Sequence, residues 1–219
     1  AHSDGQLEAF ARRGTAMRVA GIDARMLDLR DVKALVPEAD FSTARSPIVG
    51  GLMQERGGTV RHDAVAWGFA RAADAHGVDI IEDCEVTGIA ISSGRVKGVS
   101  TSKGDIEAAR VLLSGSGQSS RLASLAGLKL PVETHLLQAF VTEGVKPLFD
   151  HVVTFGAGDF YISQSDKGGL VFGGGFDGYP SYGSHGGFSN LQKVAVEAVA
   201  LFPCLSRLRI LRGWSGTVD

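Results

Sequence analysis

A mixed α+β fold is predicted for this chain of 219 residues. Three observations carry the prediction. Residues 57–120 read as a helix, a short apolar strand and a three-stranded meander that ends in Ser114-Gly115-Ser116-Gly117. After Pro131 the pattern changes to consecutive strands parted by polar or glycine turns, with one amphipathic helix among them, which is the pattern of an antiparallel sheet backed by helices. Glycine, at 30 residues, clusters at Gly50-Gly51, Gly57-Gly58, Gly115 and Gly117, Gly173 to Gly175 and Gly183 to Gly187. Apolar strands separate these clusters, so they indicate turns and close backbone approach to a ligand rather than disorder.

Composition narrows the function. Hydrophobic residues make up 44% of the chain and charged residues 21%, as in ordinary globular proteins. A formal net charge of −2 offers no basic excess to hold a phosphate backbone, so nucleic acid is not expected as a partner. No apolar run approaches the roughly 20 residues of a membrane span, and the polar first residues do not form a secretory signal. A cytoplasmic protein is expected. Cys84 and Cys204 match no metal spacing and are read as two buried, reduced thiols. The chain contains no G-x-G-x-x-G that opens a helix after a strand, and no G-x-x-x-x-G-K-[ST]. Gly173-Gly174-Gly175 follows a strand, but no helix follows it.

The elements are expected in this order. Ser3 or Asp4 caps a helix through Leu7, Phe10, Ala11 and Ala16 to about Val19, and Gly21 stops it. Arg25 to Asp28 is a short strand. Asp31 caps a brief helix, Val32 to Leu35, that Pro37 ends. Ile48 to Met53 is extended. A helix opens at His62 with the stripe Val65, Ala66, Phe69, Ala70 and Ala73, and closes at Gly77. Val78 to Ile81 has the length of a parallel-sheet strand. Glu85 to Ile91, Val96 to Thr101 and Ile106 to Leu113 form the meander, whose final Val111-Leu112-Leu113 is read as buried. Ser119 or Ser120 starts a helix over Leu122 to Ala126, stopped by Gly127. Strands follow at Val132 to Glu143, Val152-Val153, Phe160 to Ser163 and Leu170 to Phe176. A helix runs from Ser189 or Asn190 to Phe202, and a last strand spans Arg207 to Trp214. Both ends of the chain fall in mid-pattern, so an excised piece of a longer protein is expected.

Several segments carry a family resemblance. Gly57-Gly58-Thr59-Val60-Arg61-His62-Asp63-Ala64-Val65-Ala66-Trp67-Gly68-Phe69-Ala70 is similar to a segment of the FAD-dependent amine and amino-acid oxidoreductases typified by D-amino-acid oxidase. Within them it resembles the β-subunit family of heterotetrameric sarcosine oxidases. Gly77 to Ile81, Cys84 to Gly88, His135 to Ala139, Leu201-Phe202-Pro203 and Leu211 to Asp219 extend the likeness over nearly the whole chain. The resemblance implies part of an FAD-binding domain joined to a substrate domain built on an antiparallel sheet. Residues 1–53 and 131–213 would belong to the substrate domain, 54–130 to the FAD domain, and 214–219 would return toward the FAD domain.

The resemblance also implies sites. The strand containing Glu85 and Val86 would pass the adenine, with the valine backbone as hydrogen-bond partner. Ser114, Gly115, Ser116 and Gly117 would approach the ribose and pyrophosphate side of FAD, where backbone rather than side chain must meet the cofactor. His62 matches a histidine that carries covalent FMN, a second flavin. Without the resemblance, a histidine at a helix start is read as a cap or a surface residue. Tyr179 and Tyr182 are candidates for the substrate pocket, or loop residues that pack. His135 is read as structural, and Arg212 either as a carboxylate partner or as a surface ion pair. No catalytic residue and no metal ligand is assigned.

The implied activity is oxidative demethylation of sarcosine to glycine, with formaldehyde or methylene-tetrahydrofolate and hydrogen peroxide as co-products. The implied partners are α, γ and δ subunits, a small amine substrate and tetrahydrofolate on a partner subunit. The family's N-terminal G-x-G-x-x-G and its C-terminal segment are missing here, so these 219 residues alone are expected to bind FAD weakly or not at all and to be inactive. Two other readings stay open. One is a different FAD-dependent dehydrogenase of dimethylglycine, opines or D-amino acids. The other is a flavin-free scaffold subunit.

Overall fold

The computed structural model describes residues 1–42, 47–155 and 160–219. They form two compact units. The first holds residues 1–59, 136–178 and 184–216, and the second holds residues 60–135, 179–183 and 217–219. The mixed helix and antiparallel-sheet content agrees with the α+β prediction.

The first unit opens with helix α1, Asp4–Val19. Ser3 caps it by accepting the Gln6 N–H, which satisfies one of the donors left open at a helix start. Strand β1, Arg25–Leu27, leads to helix α2, Leu29–Leu35. The cap of α2 is Asp28 rather than Asp31. Asp28 accepts the Asp31 N–H while the Asp31 carboxylate accepts the Asp28 N–H, so the expected cap is the returning half of a capping box. Strand β2, Gly51–Met53, pairs antiparallel with β1.

The main sheet has five strands. These are β6 His135–Gly144, β7 Val153–Phe155, β8 Phe160–Gln164, β9 Gly169–Phe176 and β10 Ile210–Val218, in the order β10-β6-β9-β8-β7. Neighbours from β6 to β7 run antiparallel. Phe160 and Ile162 of β8 and Leu170 and Phe172 of β9 point to one face, as strand alternation requires. That face receives helix α5, Phe188–Leu201, through Val194, Ala198 and Leu201, spaced at four and three residues. Phe149 meets Phe202 edge-on at 4.8 Å at one end of this core.

The second unit holds helix α3, His62–Ala75, and a small sheet. The sheet is β3 Val86–Ser92, β4 Arg95–Thr101 and β5 Gly104–Glu107, in sequence order. Ser93 and Gly94 join β3 to β4 with both residues at positive φ, which matches the twist of a two-residue hairpin. Helix α4, Ser119–Ser124, follows a 3-10 turn at Ser116–Gln118.

Three expectations are corrected here. Val78 to Ile81 is not a strand, and Val78, Ile80 and Ile81 are each 51% exposed. Val111 to Leu113 is not a buried strand either; Leu112 is 90% exposed. A strand exists through its ladder, and no described strand pairs with either run; the Val78 N–H instead closes α3 on the Ala73 carbonyl. The stripe of α3 is present, but none of its residues is buried. The thiols are not buried as read: Cys84 is half-buried and Cys204 exposed.

Candidate functional site

The residues singled out from sequence as cofactor or pocket candidates all fall in the second unit. Glu85 and Val86 stand at the head of β3. The Glu85 N–H donates to the Ser102 hydroxyl at 3.0 Å, and its carbonyl accepts the Ser102 N–H at 2.9 Å. The register slips between Val86 and Gly88, so Thr87 is the extra residue of a bulge, a device that re-aims backbone at the rim of a sheet. Glu85 is exposed and Val86 half-buried.

The turn Ser114–Gly117 leads into α4. Ser116 is held at φ 45°, a left-handed conformation that costs a non-glycine residue about 1 kcal/mol or more and persists only where its surroundings enforce it. Two contacts enforce it. The Gly117 carbonyl accepts the hydroxyl of Thr134 at 2.8 Å. On the other side Thr217 closes over Gly117, where a Cβ would stand 2.6 Å from the threonine side chain and 2.8 Å from its backbone carbon. No larger residue fits. The Ser119 hydroxyl donates to the Ser116 carbonyl at 2.6 Å.

The loop that carries Tyr179 and Tyr182 is tied to the same place. The Ser181 N–H donates to the Thr134 carbonyl at 2.7 Å. The guanidinium of Arg121 in α4 lies 5.6 Å from the Tyr182 ring centroid, within cation–π range. The two tyrosines remain 57% and 42% exposed. The structure therefore brings the Ser114–Gly117 turn and the tyrosine loop together through Thr134, a residue that sequence reasoning passed over.

His62 is the first residue of α3 and is exposed. It does not cap the helix. Asp63 does the local work, taking the Ala64 N–H at 2.9 Å and the Arg61 guanidinium at 2.9 Å. The hydrogen bonds from Arg61 and then Ala64 hold the Asp63 carboxyl below its ordinary range. His135 lies 4.0 Å from Glu133, and Arg212 is exposed on β10.

In the first unit, three buried polar side chains cluster at the end of β9. The Gln138 amide donates to Asp177 at 3.0 Å and to the Gly187 carbonyl at 3.2 Å. The Gly187 N–H reaches the same carboxylate at 3.4 Å. Asn190, 5% exposed, sits at the start of α5, and its Nδ2 has no hydrogen-bond partner among the described residues. Tyr161 points away from the core, opposite Gly173 in the ladder, and burial raises its phenol above the ordinary value. Asn190 was read only as a possible helix start and the others were not singled out, because their partners lie far along the chain and local pattern does not show them. A cleft of about 780 Å³ also opens in this unit, lined by Phe10, Leu27, Leu52, Val153 and Phe155 among others. It contains none of the sequence-predicted site residues. Among the described residues, no group of three His, Cys, Asp or Glu side chains is placed to hold a metal, and no helix is long and apolar enough to cross a membrane.

Comparison with known proteins decides the family. The family model for FAD-dependent oxidoreductases matches residues 1–219. The chain belongs to that family. It is 58% identical over 218 residues to the sarcosine oxidase subunit beta of Rhizobium meliloti, covering 100% of this chain and 52% of that protein. It is 42% identical to the subunit beta of Rhodobacter capsulatus, covering 100% and 53%. Among solved structures, L-proline dehydrogenase from P. horikoshii superposes with a TM-score of 0.89 at 26% identity, over 99% of this chain and 58% of that one. Glycine oxidase from Bacillus cereus gives 0.80 at 22% identity, over 99% and 58%, and shows the fold alone. The chain spans about half the length of the curated relatives it matches.

The residues present fit one part of an FAD site. A strained turn of small residues and a bulged strand head are here, whereas the described residues hold no glycine-rich strand-to-helix turn for the pyrophosphate.

Proposed function

We propose that this chain is part of the β subunit of a flavin-dependent sarcosine oxidase. The observation that carries the reading is the 58% identity maintained from one end of the chain to the other against a sarcosine oxidase subunit beta. The reaction converts sarcosine, oxygen and water to glycine, formaldehyde and hydrogen peroxide, or passes the one-carbon unit to tetrahydrofolate on a partner subunit. Bound FAD supplies the acceptor for a hydride equivalent from the N-methyl group. The chain's own residues bind and orient. The turn Ser114–Gly117 lets backbone approach the ribose and phosphates, and the head of β3 at Glu85 and Val86 meets the adenine. Tyr179 and Tyr182 line the amine pocket. His62, exposed at the first turn of α3, is the attachment point for FMN.

In this reading the first unit belongs to the substrate domain and the second to the FAD domain. Because the relatives are named as β subunits, the protein works in a complex with α, γ and δ subunits, in the cytoplasm. The likeness to a proline dehydrogenase also favours a secondary amine, since sarcosine and proline share an N-alkylated α-amino acid. A proline or opine dehydrogenase, both acting on secondary amines, is thus the second reading, beside the family's dimethylglycine and D-amino-acid dehydrogenases.

Turnover of the full-length protein, co-expressed with its partner subunits, tests this. Sarcosine should give hydrogen peroxide and formaldehyde with kcat/KM at least about tenfold above proline or dimethylglycine, the discrimination one well-fitted methyl or ring contact supplies. A preference for proline would replace the first reading with the second. A colourless, inactive complex would favour the flavin-free scaffold.

A further inference from the structure

One buried residue that belongs to neither motif holds the turn and the tyrosine loop. Thr134 is 2% exposed and makes two short hydrogen bonds in opposite directions. Its hydroxyl holds the Gly117 carbonyl at 2.8 Å, and its carbonyl holds the Ser181 N–H at 2.7 Å. The β-branched side chain has few χ1 choices, so the hydroxyl is aimed by the same backbone that receives Ser181. Gly117 has no slack on its far side, where Thr217 fills the space a Cβ would need. Ser116, next to it, is already in a left-handed conformation. A shift of the Gly117 peptide therefore moves Thr134, and a shift of Thr134 moves Ser181. Arg121 adds a parallel tie: its Nη1 meets Gln118 at 3.3 Å, just past the turn, while its guanidinium covers the Tyr182 ring. Beyond these, the Ser184 carbonyl accepts the Ser215 hydroxyl at 2.8 Å, while Tyr179 and Tyr182 themselves are exposed. The order of the loop depends on these few attachments.

We infer that Thr134 is a positioning residue that couples the cofactor turn to the loop bearing Tyr179 and Tyr182, so that a flavin dinucleotide bound on the turn orders the loop. The inference rests on the reading of Ser114–Gly117 as a flavin turn. By reciprocity, an amine or carboxylate ligand held by the ordered loop tightens flavin binding by the same factor. The coupling needs no large movement, only two arrangements of the Gly117 peptide, one of which the ligand favours.

The test uses the full-length protein with its partner subunits and the variants Thr134→Val and Thr134→Ser. Amide hydrogen exchange over residues 178–187 is followed with and without FAD, and the FAD dissociation constant is measured by flavin fluorescence. In the wild type, FAD should slow exchange at Ser181 to Gly183. Thr134→Val keeps the shape but leaves the buried Gly117 carbonyl unpaired, and should erase the FAD-dependent slowing and weaken FAD about tenfold. Thr134→Ser keeps the hydroxyl and should retain both. Arg121→Met removes the weaker tie at an exposed position and should reduce the slowing about threefold. It keeps the test alive if Thr134→Val fails to fold. A purely structural threonine would lower overall stability yet leave the FAD-dependent difference in place, and that result overturns the coupling. So does a wild type that binds FAD without protecting the loop, which leaves the flavin reading intact. A wild type that binds no FAD overturns the flavin reading itself, and the coupling falls with it.

Discussion

The two units of this chain bury their apolar residues very differently. In the first, Phe160, Ile162, Leu170, Val194 and Phe202 are at most 3% exposed and pack a sheet against α5. In the second, α3 carries as regular an apolar stripe as α5, yet Phe69 is 75% exposed and Trp67 59%. Val78, Ile80, Ile81 and Leu112 add to the same open surface. Both helices encode burial; only one finds its partner among the described residues. An exposed apolar area of this kind marks a surface made to be covered. The curated relatives that the chain matches are about twice as long as this chain.

The comparison breaks most easily at the core. Phe160→Ala should destabilise this 219-residue chain by about 3–5 kcal/mol, because a fully buried ring leaves a cavity that the sheet cannot close. Phe69→Ala on α3 should change it by no more than about 0.5 kcal/mol. Urea unfolding of the two variants decides the point. Equal losses would mean that α3 is buried in solution by association of the chain with itself.

Next in size is Gly117→Ala. The added methyl collides with the backbone of Thr217 and not just with a flexible side chain, so the cost is that of overpacking, about 1–3 kcal/mol. It acts in the poorly packed unit, so it sharpens the contrast: the second unit is held by specific polar and close contacts where the first is held by a core. A melting temperature unchanged from the wild type would show that the turn at 114–117 is looser than its geometry implies.

How much of this was readable from the residues follows from the range of each interaction. Helix α1 with its Ser3 cap, α5 with its four-and-three stripe, and the hairpin at Ser93-Gly94 are local, and each was legible. So was the family, through many short segments in order. Val78 to Ile81 and Val111 to Leu113 were misread because a strand of parallel-sheet length is defined by a distant partner that local pattern does not show. At β6 the register slips past Thr142, whose hydroxyl takes over the Leu170 N–H; no periodicity announces such a repair. Thr134, Gln138, Asp177 and Tyr161 were missed for the same reason. Their roles come from tertiary contacts spanning some 12 to 49 residues of sequence.

The second unit also makes a spectroscopic prediction. The isolated 219-residue chain mixed with FAD and desalted should retain little visible absorbance, since the turn at Ser114–Gly117 is present and the glycine-rich pyrophosphate turn is not. In the full-length complex, flavin colour should stay with the protein through denaturation and filtration in the wild type, and His62→Ala should abolish it. Retained flavin in the isolated chain would show that the turn and β3 suffice. Colour fully released from the wild-type complex would remove His62 from the site.

The smallest expected effect lies at the head of α3. Asp63 is held below the ordinary carboxylate range by Arg61 and by the Ala64 N–H, so its contribution to the folded state is present above the unfolded carboxylate pKa and is lost as pH falls through the lower folded value. The exposed position and salt screening keep that contribution small, which is why it should be sought in the helix rather than in global stability. The Ala64 amide resonance should titrate with Asp63 below the normal carboxylate range, and the first turn of α3 should fray there while α5 is unaffected. Asp63→Asn should remove that titration and leave the amide resonance flat across the acid range. If the Ala64 amide instead titrates at an unshifted carboxylate value, the ion pair with Arg61 is not formed in solution, and the setting proposed for His62 loses its local order.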